Sequence, residues 1–266
     1  MNRLCVRFAL KGLAPALLLL AAACAGVGSE EKLSVTTRTE AGTTTAPPAG
    51  EVAARKNALV RFVHAVPGLA PVDVFAGDGK AFDAVIYKYV TAYRELPVAS
   101  APFRLRLAGQ ETAEPLAQEA RSFGTGRHHT IVAFYKGGSG LLSKGTGIEL
   151  LFLTDELEPP SAGKARVRMV NASPDLGEVD VYATGRAEPL VKGAKSGGAT
   201  AYAEVEPADS GLEVRRAGEN ITTLAVPATK LEAGRLYTIF IVGGTKGTAK
   251  LESFVIEDQL GAPPEK

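Results

Sequence analysis

Three histidines, two repeated aspartates, two glycine-rich segments and one cysteine are the residues whose types and spacing could do chemistry in this chain. His64, His128 and His129 are its only histidines. Zinc takes three or four nitrogen, sulfur or carboxylate ligands, so a histidine cluster would be the start of such a site. Neighbours along a strand point to opposite faces, so His128 and His129 cannot share one ion without a bulge. His64 and one of them could meet only at a sheet end. No cysteine is placed to complete the set, and Asn171, Leu236 and Tyr237 stand at the matching slots of a second, related segment. No metal is expected, and the three read as surface or turn histidines.

Asp73 and Asp180 each sit between two apolar residues, in Val72-Asp73-Val74 and Val179-Asp180-Val181. Such a carboxylate could act as a general base or a calcium ligand. It could equally accept hydrogen bonds from the backbone of the preceding turn, the one that holds Pro67. Recurrence amid dissimilar neighbours favours the architectural role. Gly137-Gly138-Ser139-Gly140 through Gly147, and Gly243-Gly244-Thr245-Lys246-Gly247, resemble phosphate loops only in composition. Neither contains Gly-Lys-Ser or Gly-Lys-Thr opening a helix, so both read as hairpin connections. A G-x-S-x-G elbow is missing, and no Ser-His-Asp set has a placement. The sequence therefore predicts no catalytic residue and no cofactor.

The cysteine is more informative. Arg3, Arg7 and Lys11 precede an apolar run from Leu13 to Ala23, which ends in Ala21-Ala22-Ala23-Cys24. A basic start, a short apolar core and small residues make an export signal over residues 1–23. The run falls short of the roughly 20 residues that a spanning helix needs. Ala-Ala-Ala-Cys resembles a bacterial lipobox, although Ala21 occupies the usual leucine slot. Cys24 is thus the expected lipidation site, and acyl chains there would hold the chain on a membrane. Residues 24–56 are rich in Thr, Pro and Ala and too poor in large apolar residues to offset ordering entropy, as expected of a disordered stalk. Thirty basic residues against 29 acidic ones leave no basic excess for nucleic acid.

From Asn57 onward the chain repeats itself. Val60-Arg61-Phe62-Val63-His64-Ala65-Val66-Pro67 returns as Val167-Arg168-Met169-Val170-Asn171-Ala172-Ser173-Pro174. Tyr93-Arg94-Glu95-Leu96 answers Tyr202-Ala203-Glu204-Val205, Thr130-Ile131 answers Thr238-Ile239, and Thr154-Asp155 answers Glu257-Asp258. Alternating apolar and polar residues, with Pro and Gly at short intervals, indicate strands of period two. Thr130–Tyr135 and Thr238–Val242 suit strands buried on both faces. These features predict an all-β chain of two tandem antiparallel, immunoglobulin-like β-sandwiches, each of about seven strands with its own core. The boundaries are 57–158 and 164–260, with a linker at 159–163 and a tail at 261–266.

The R-x-V-[HN]-A-x-P opening, the V-D-V-[FY] strand and the later G-x-x-[HY]-T-I strand resemble the bacterial domain-of-unknown-function family numbered 4397, in both copies. That resemblance implies an exported or surface-anchored tandem sandwich without an established activity or ligand. The expected function is that of a non-catalytic envelope protein, lipid-anchored, probing an envelope protein or glycan as a binding, adhesion or structural module. An outer-membrane location and a monomeric state are expected. The alternatives are an envelope-acting hydrolase and a glycan-binding module.

Overall fold

The computed structural model describes residues 57–97, 99–137, 147–226, 229–245 and 249–259. The expected signal and stalk, with Cys24, lie outside the described residues, as do the tail and segments 138–146 and 246–248 of the glycine-rich stretches.

The first copy forms β1 (Asn57–His64), β2 (Val72–Ala76), β3 (Gly79–Val85), β4 (Arg94–Pro97), β5 (Ala101–Leu107), β6 (Ala117–Arg121), β7 (His128–Tyr135) and β8 (Ile148–Asp155). The second forms β9 (Ala165–Asn171), β10 (Val179–Ala183), β11 (Pro189–Ala194), β12 (Gly198–Ala199), β13 (Ala203–Val205), β14 (Leu212–Arg216), β15 (Thr222–Val226), β16 (Leu236–Val242) and β17 (Glu252–Asp258). Each copy is a two-sheet sandwich. In the first, an inner sheet of order β4-β1-β7-β8 faces an outer sheet of order β3-β2-β5-β6. In the second, the inner sheet runs β12-β9-β16-β17, with β13 also on β9, and the outer runs β11-β10-β14-β15.

The expectation of antiparallel sheets needs correction. β1 pairs with β7 in parallel, and β9 with β16 likewise. A parallel neighbour requires a long crossover, and here the chain leaves the inner sheet, builds the outer one and returns. Period-two patterning carries no information about strand direction, so the sequence could not reveal this.

Each sandwich encloses its own apolar core. Val60, Phe62, Val72, Leu105 and Ile131 belong to the first, and Val167, Met169, Val181, Val214 and Ile239 to the second. A third cluster joins the copies: Val63, Ala65, Val132 and Phe134 pack with Val170, Ala172, Phe240 and Val242. These residues alternate with the core residues along the same strands, so the inner sheets are buried on both faces and meet along a seam. Phe240 stacks on Phe254 at 4.8 Å within this layer.

Candidate functional site

Among the described residues, four places could carry chemistry: the two aspartates, the histidines, an open groove on the first sandwich, and the seam.

Asp73 is fully buried on β2, opposite a bulge where Asp83 and Ala84 of β3 interrupt the register. The Ala84 N–H donates to its Oδ1 at 2.8 Å and the Gly109 N–H to its Oδ2 at 3.1 Å, while Lys80 Nζ lies 3.0 Å away. Burial opposes ionisation of Asp73, but these hydrogen bonds and the Lys80 charge outweigh it and hold its pKa below the usual value. Asp180 repeats the device more simply: the Gly193 N–H donates to its Oδ1 at 2.8 Å across the equivalent bulge. The carboxylates therefore accept backbone donors that the bulges leave without ladder partners. The donors come from these bulges and from Gly109, not from the turn holding Pro67.

His64 is buried, contrary to a surface or turn placement. Its Nδ1 accepts from the Val66 N–H at 3.2 Å and its Nε2 faces the Ala70 carbonyl at 3.4 Å, which requires the neutral ring with the proton on Nε2. Asn171 performs the same task in the second copy. Its Oδ1 accepts from the Ser173 N–H at 3.2 Å and its Nδ2 donates to Gly177 O and Ala194 O. His and Asn alternate at this slot because each offers an acceptor and a donor at similar reach. His129 is buried against Phe123. In the β1–β7 register His129 faces Val60 whereas His64 faces Ala133, four positions along, which is about 13 Å. The two do not meet. Among the described residues no group of three or more His, Cys, Asp or Glu could hold a metal ion.

The groove lies where β3 and the segment before β4 leave the first sandwich open, and it has a volume of about 630 Å³. Phe82, Asp83, Ile86, Tyr89, Tyr93 and Arg94 line it. Ile86 and Tyr89 are exposed large apolar residues, 56% and 54% accessible, at the two ends of a turn closed by Tyr89 N–H to Ile86 O. This turn is fixed to β1 by Lys88 N–H to His64 O at 2.8 Å and Thr91 N–H to Phe62 O at 3.0 Å. Lys88 has φ +64° and Ala84, in the groove wall, φ +45°. Their counterparts in the second copy are Gly197 and Gly193, at +70° and +80°. The first copy thus keeps side chains where the backbone favours glycine, at a cost of about 1 kcal/mol each. The second presents the same turn as Lys195-Ser196-Gly197-Gly198.

Sequence reasoning missed the polar layer of the seam. Arg61 of β1 reaches Asp258 of β17 at 2.5 Å, and Arg168 of β9 reaches Asp155 of β8 at 2.6 Å. Each arginine also donates from Nε to the threonine of its own copy, Arg61 to Thr130 at 2.9 Å and Arg168 to Thr238 at 2.8 Å. The Thr130 and Tyr93 hydroxyls donate to Asp155, and those of Thr238 and Tyr202 to Asp258. Tyr93 and Tyr202 further lie beneath the guanidinium planes of Arg61 and Arg168. The two halves are reciprocal, related by a pseudo-two-fold axis: each copy gives an arginine and receives one. All four charged residues are at most 5% exposed. Burial raises both tyrosine pKa values, and the neighbouring carboxylates add to that. Every member was visible in the repeat, since Arg, Tyr, Thr and Asp recur in both copies at matching slots.

No curated protein matches this chain. Among solved structures, one described as "a putative cell adhesion protein" from Bacteroides uniformis is similar at 12% identity, with a TM-score of 0.22. That match covers 79% of this chain and 98% of that one. The family match runs from β1 across the linker into β10, so it does not coincide with one copy. A family model described as a domain of unknown function, DUF4397, matches residues 58–182 of this chain.

Proposed function

We propose that this chain is a non-catalytic binding module of the cell envelope, held to a membrane through acylated Cys24 and engaging an envelope component through its first sandwich. The observation that supports it is the groove. A rigid turn displays Ile86 and Tyr89 over an open concavity of a size that suits ligands, with strained backbone at Ala84 and Lys88 beside it. The second copy has Lys-Ser-Gly-Gly at that turn, so the display is not a requirement of the fold. The buried ion pairs of the chain's two copies, Arg61 with Asp258 and Arg168 with Asp155, lie in the seam and not among the residues that line the groove.

The test compares the full-length wild type with Ile86→Ser/Tyr89→Ser in binding to isolated envelopes from the native host, read by surface plasmon resonance. Loss of about tenfold or more in affinity at unchanged melting temperature supports the reading, in line with the weight that a few aromatic anchors carry in interfaces. Equal binding by both proteins overturns it, as does turnover of purified envelope polymer by the wild type. Intact mass spectrometry of the native protein decides the anchor. A chain starting at Cys24 with diacylglycerol on its sulfur is expected, and an unmodified thiol refutes it.

A further inference from the structure

We infer that the seam is a specific recognition surface, by which the first sandwich accepts the second sandwich and no other, whether supplied by the same chain or by a second copy of it. The charges alone permit more. By the pseudo-two-fold relation, two first copies would also bring Arg61 against Asp155, and two second copies would bring Arg168 against Asp258. Electrostatics makes the seam adhesive without deciding which sandwiches meet.

Shape decides. Gly197 of the second copy lies against the Phe134 ring of the first, and a Cβ at that glycine would sit 3.0 Å from ring atoms Cε2 and Cζ. The slot equivalent to Gly197 in the first copy is Lys88, and the slot equivalent to Phe134 in the second is Val242. Lys88 carries its side chain at the same left-handed backbone and ion-pairs with Glu252 of β17. Pairing two first copies would drive Phe134 against Lys88, a large ring against a filled slot. Pairing two second copies would put the smaller Val242 over Gly197, leaving a void and no lysine for Glu252. Overpacking and voids both cost stability in interiors of this density. Only the first-with-second pairing fills both slots. Repulsive shape at the wrong pairings is how closely related interfaces are kept apart.

The linker also favours pairing within one chain, because Arg166 holds the Glu158 carbonyl at 2.9 Å and Glu204 accepts from the Ser161 N–H at 2.8 Å. Testing the seam itself requires cutting that connection. A protease site is placed between Pro160 and Ser161 of the full chain, and the folded protein is cleaved. Unlabelled and ¹⁵N-labelled cleaved samples are then mixed and followed by native mass spectrometry. Halves that remain as one-to-one first–second pairs, with mixed-label pairs appearing over time, are the expected result. Separation or precipitation of the halves on cleavage overturns the inference, as do first–first or second–second pairs forming as readily as first–second ones. Gly197→Lys, which installs the residue that the first copy carries at an equal backbone angle, should weaken pairing by about tenfold or more. Adding Phe134→Val to that variant should restore it. Failure of the second change to rescue the first refutes the role assigned to shape.

Discussion

Asp155→Asn is the most severe test of the seam, because it changes charge while keeping shape. The carboxylate lies 2.6 Å from the Arg168 guanidinium as an ion pair and accepts from the Thr130 hydroxyl at 2.6 Å and the Tyr93 hydroxyl at 2.7 Å, buried and part-buried donors. An asparagine would leave Arg168, only 2% exposed, without its nearest counter-charge and would aim an amide donor at groups that themselves donate. Removing one partner of a buried pair costs about 3–5 kcal/mol. For a folded unit of roughly 200 residues that lowers Tm by about 6–20 °C. Differential scanning calorimetry of the full chain should show one transition moving as a whole, since the lost pair couples both sandwiches. Arg168→Met with Asp155→Leu should recover most of the loss, because replacing a whole buried pair by apolar residues is often neutral. The acid limb gives an independent check. Burial opposes ionisation of Asp155, but Arg168, Arg61, Thr130 and Tyr93 outweigh it, so its folded pKa lies below the ordinary carboxylate value. The pair's contribution is present above the unfolded-state pKa and is lost as pH falls through the folded one. The difference between wild type and variant should therefore shrink in acid below about pH 4. A loss of less than about 1 kcal/mol at pH 7, or two transitions of which only one moves, would refute this account.

Asp73→Asn should destabilise by about 1.5–3 kcal/mol in urea denaturation, and Asp180→Asn by less, since Asp73 serves two backbone donors and Lys80; calcium-dependent protection of wild type alone would contradict that. Ala84→Gly should raise stability by up to about 1 kcal/mol by relieving its left-handed backbone, offset in part by unfolded-state entropy; a measured loss would show that its methyl group is needed in the groove wall. His64→Asn, the residue found at this slot in the second copy, should flatten the fall in stability between about pH 7 and pH 5. Burial lowers the His64 pKa, so its neutral-state contribution is present above the unfolded-state value and declines as pH falls toward the folded one. An unchanged slope would mean that His64 does not titrate across that range.

Much of the architecture was readable because burial writes itself on a strand in period two. Thr130–Tyr135 and Thr238–Val242 look like central strands, and both prove buried on each face. The repeat fixed which segments are equivalent, and the Asp73 carboxylate does accept backbone donors. What it accepts from was not readable, because a bulge depends on register between strands and leaves no local motif. Strand direction was lost for the same reason.

The seam stayed hidden for a different reason. Arg61 alternates with Val60 and Phe62, and a period of two marks a strand without saying what its second face meets. Yet Val63 and Ala65 share that parity and are apolar, which a wet face does not require. One arginine in an otherwise apolar file, repeated at Arg168 with an aspartate repeated at Asp155 and Asp258, marks charges that pair inside a second interior layer. Two copies in one chain also need not serve both roles equally. With the seam held by residues common to both copies, the turn beside it was free to differ. The first copy carries Ile86, Lys88 and Tyr89 there, and the second carries lysine and glycines. Lys88 keeps its strained backbone because it reaches Glu252, while Gly197 keeps its bareness because Phe134 fills the space. The divergence that makes the two halves fit each other is therefore the same divergence that gives this turn apolar side chains in the first copy and not in the second.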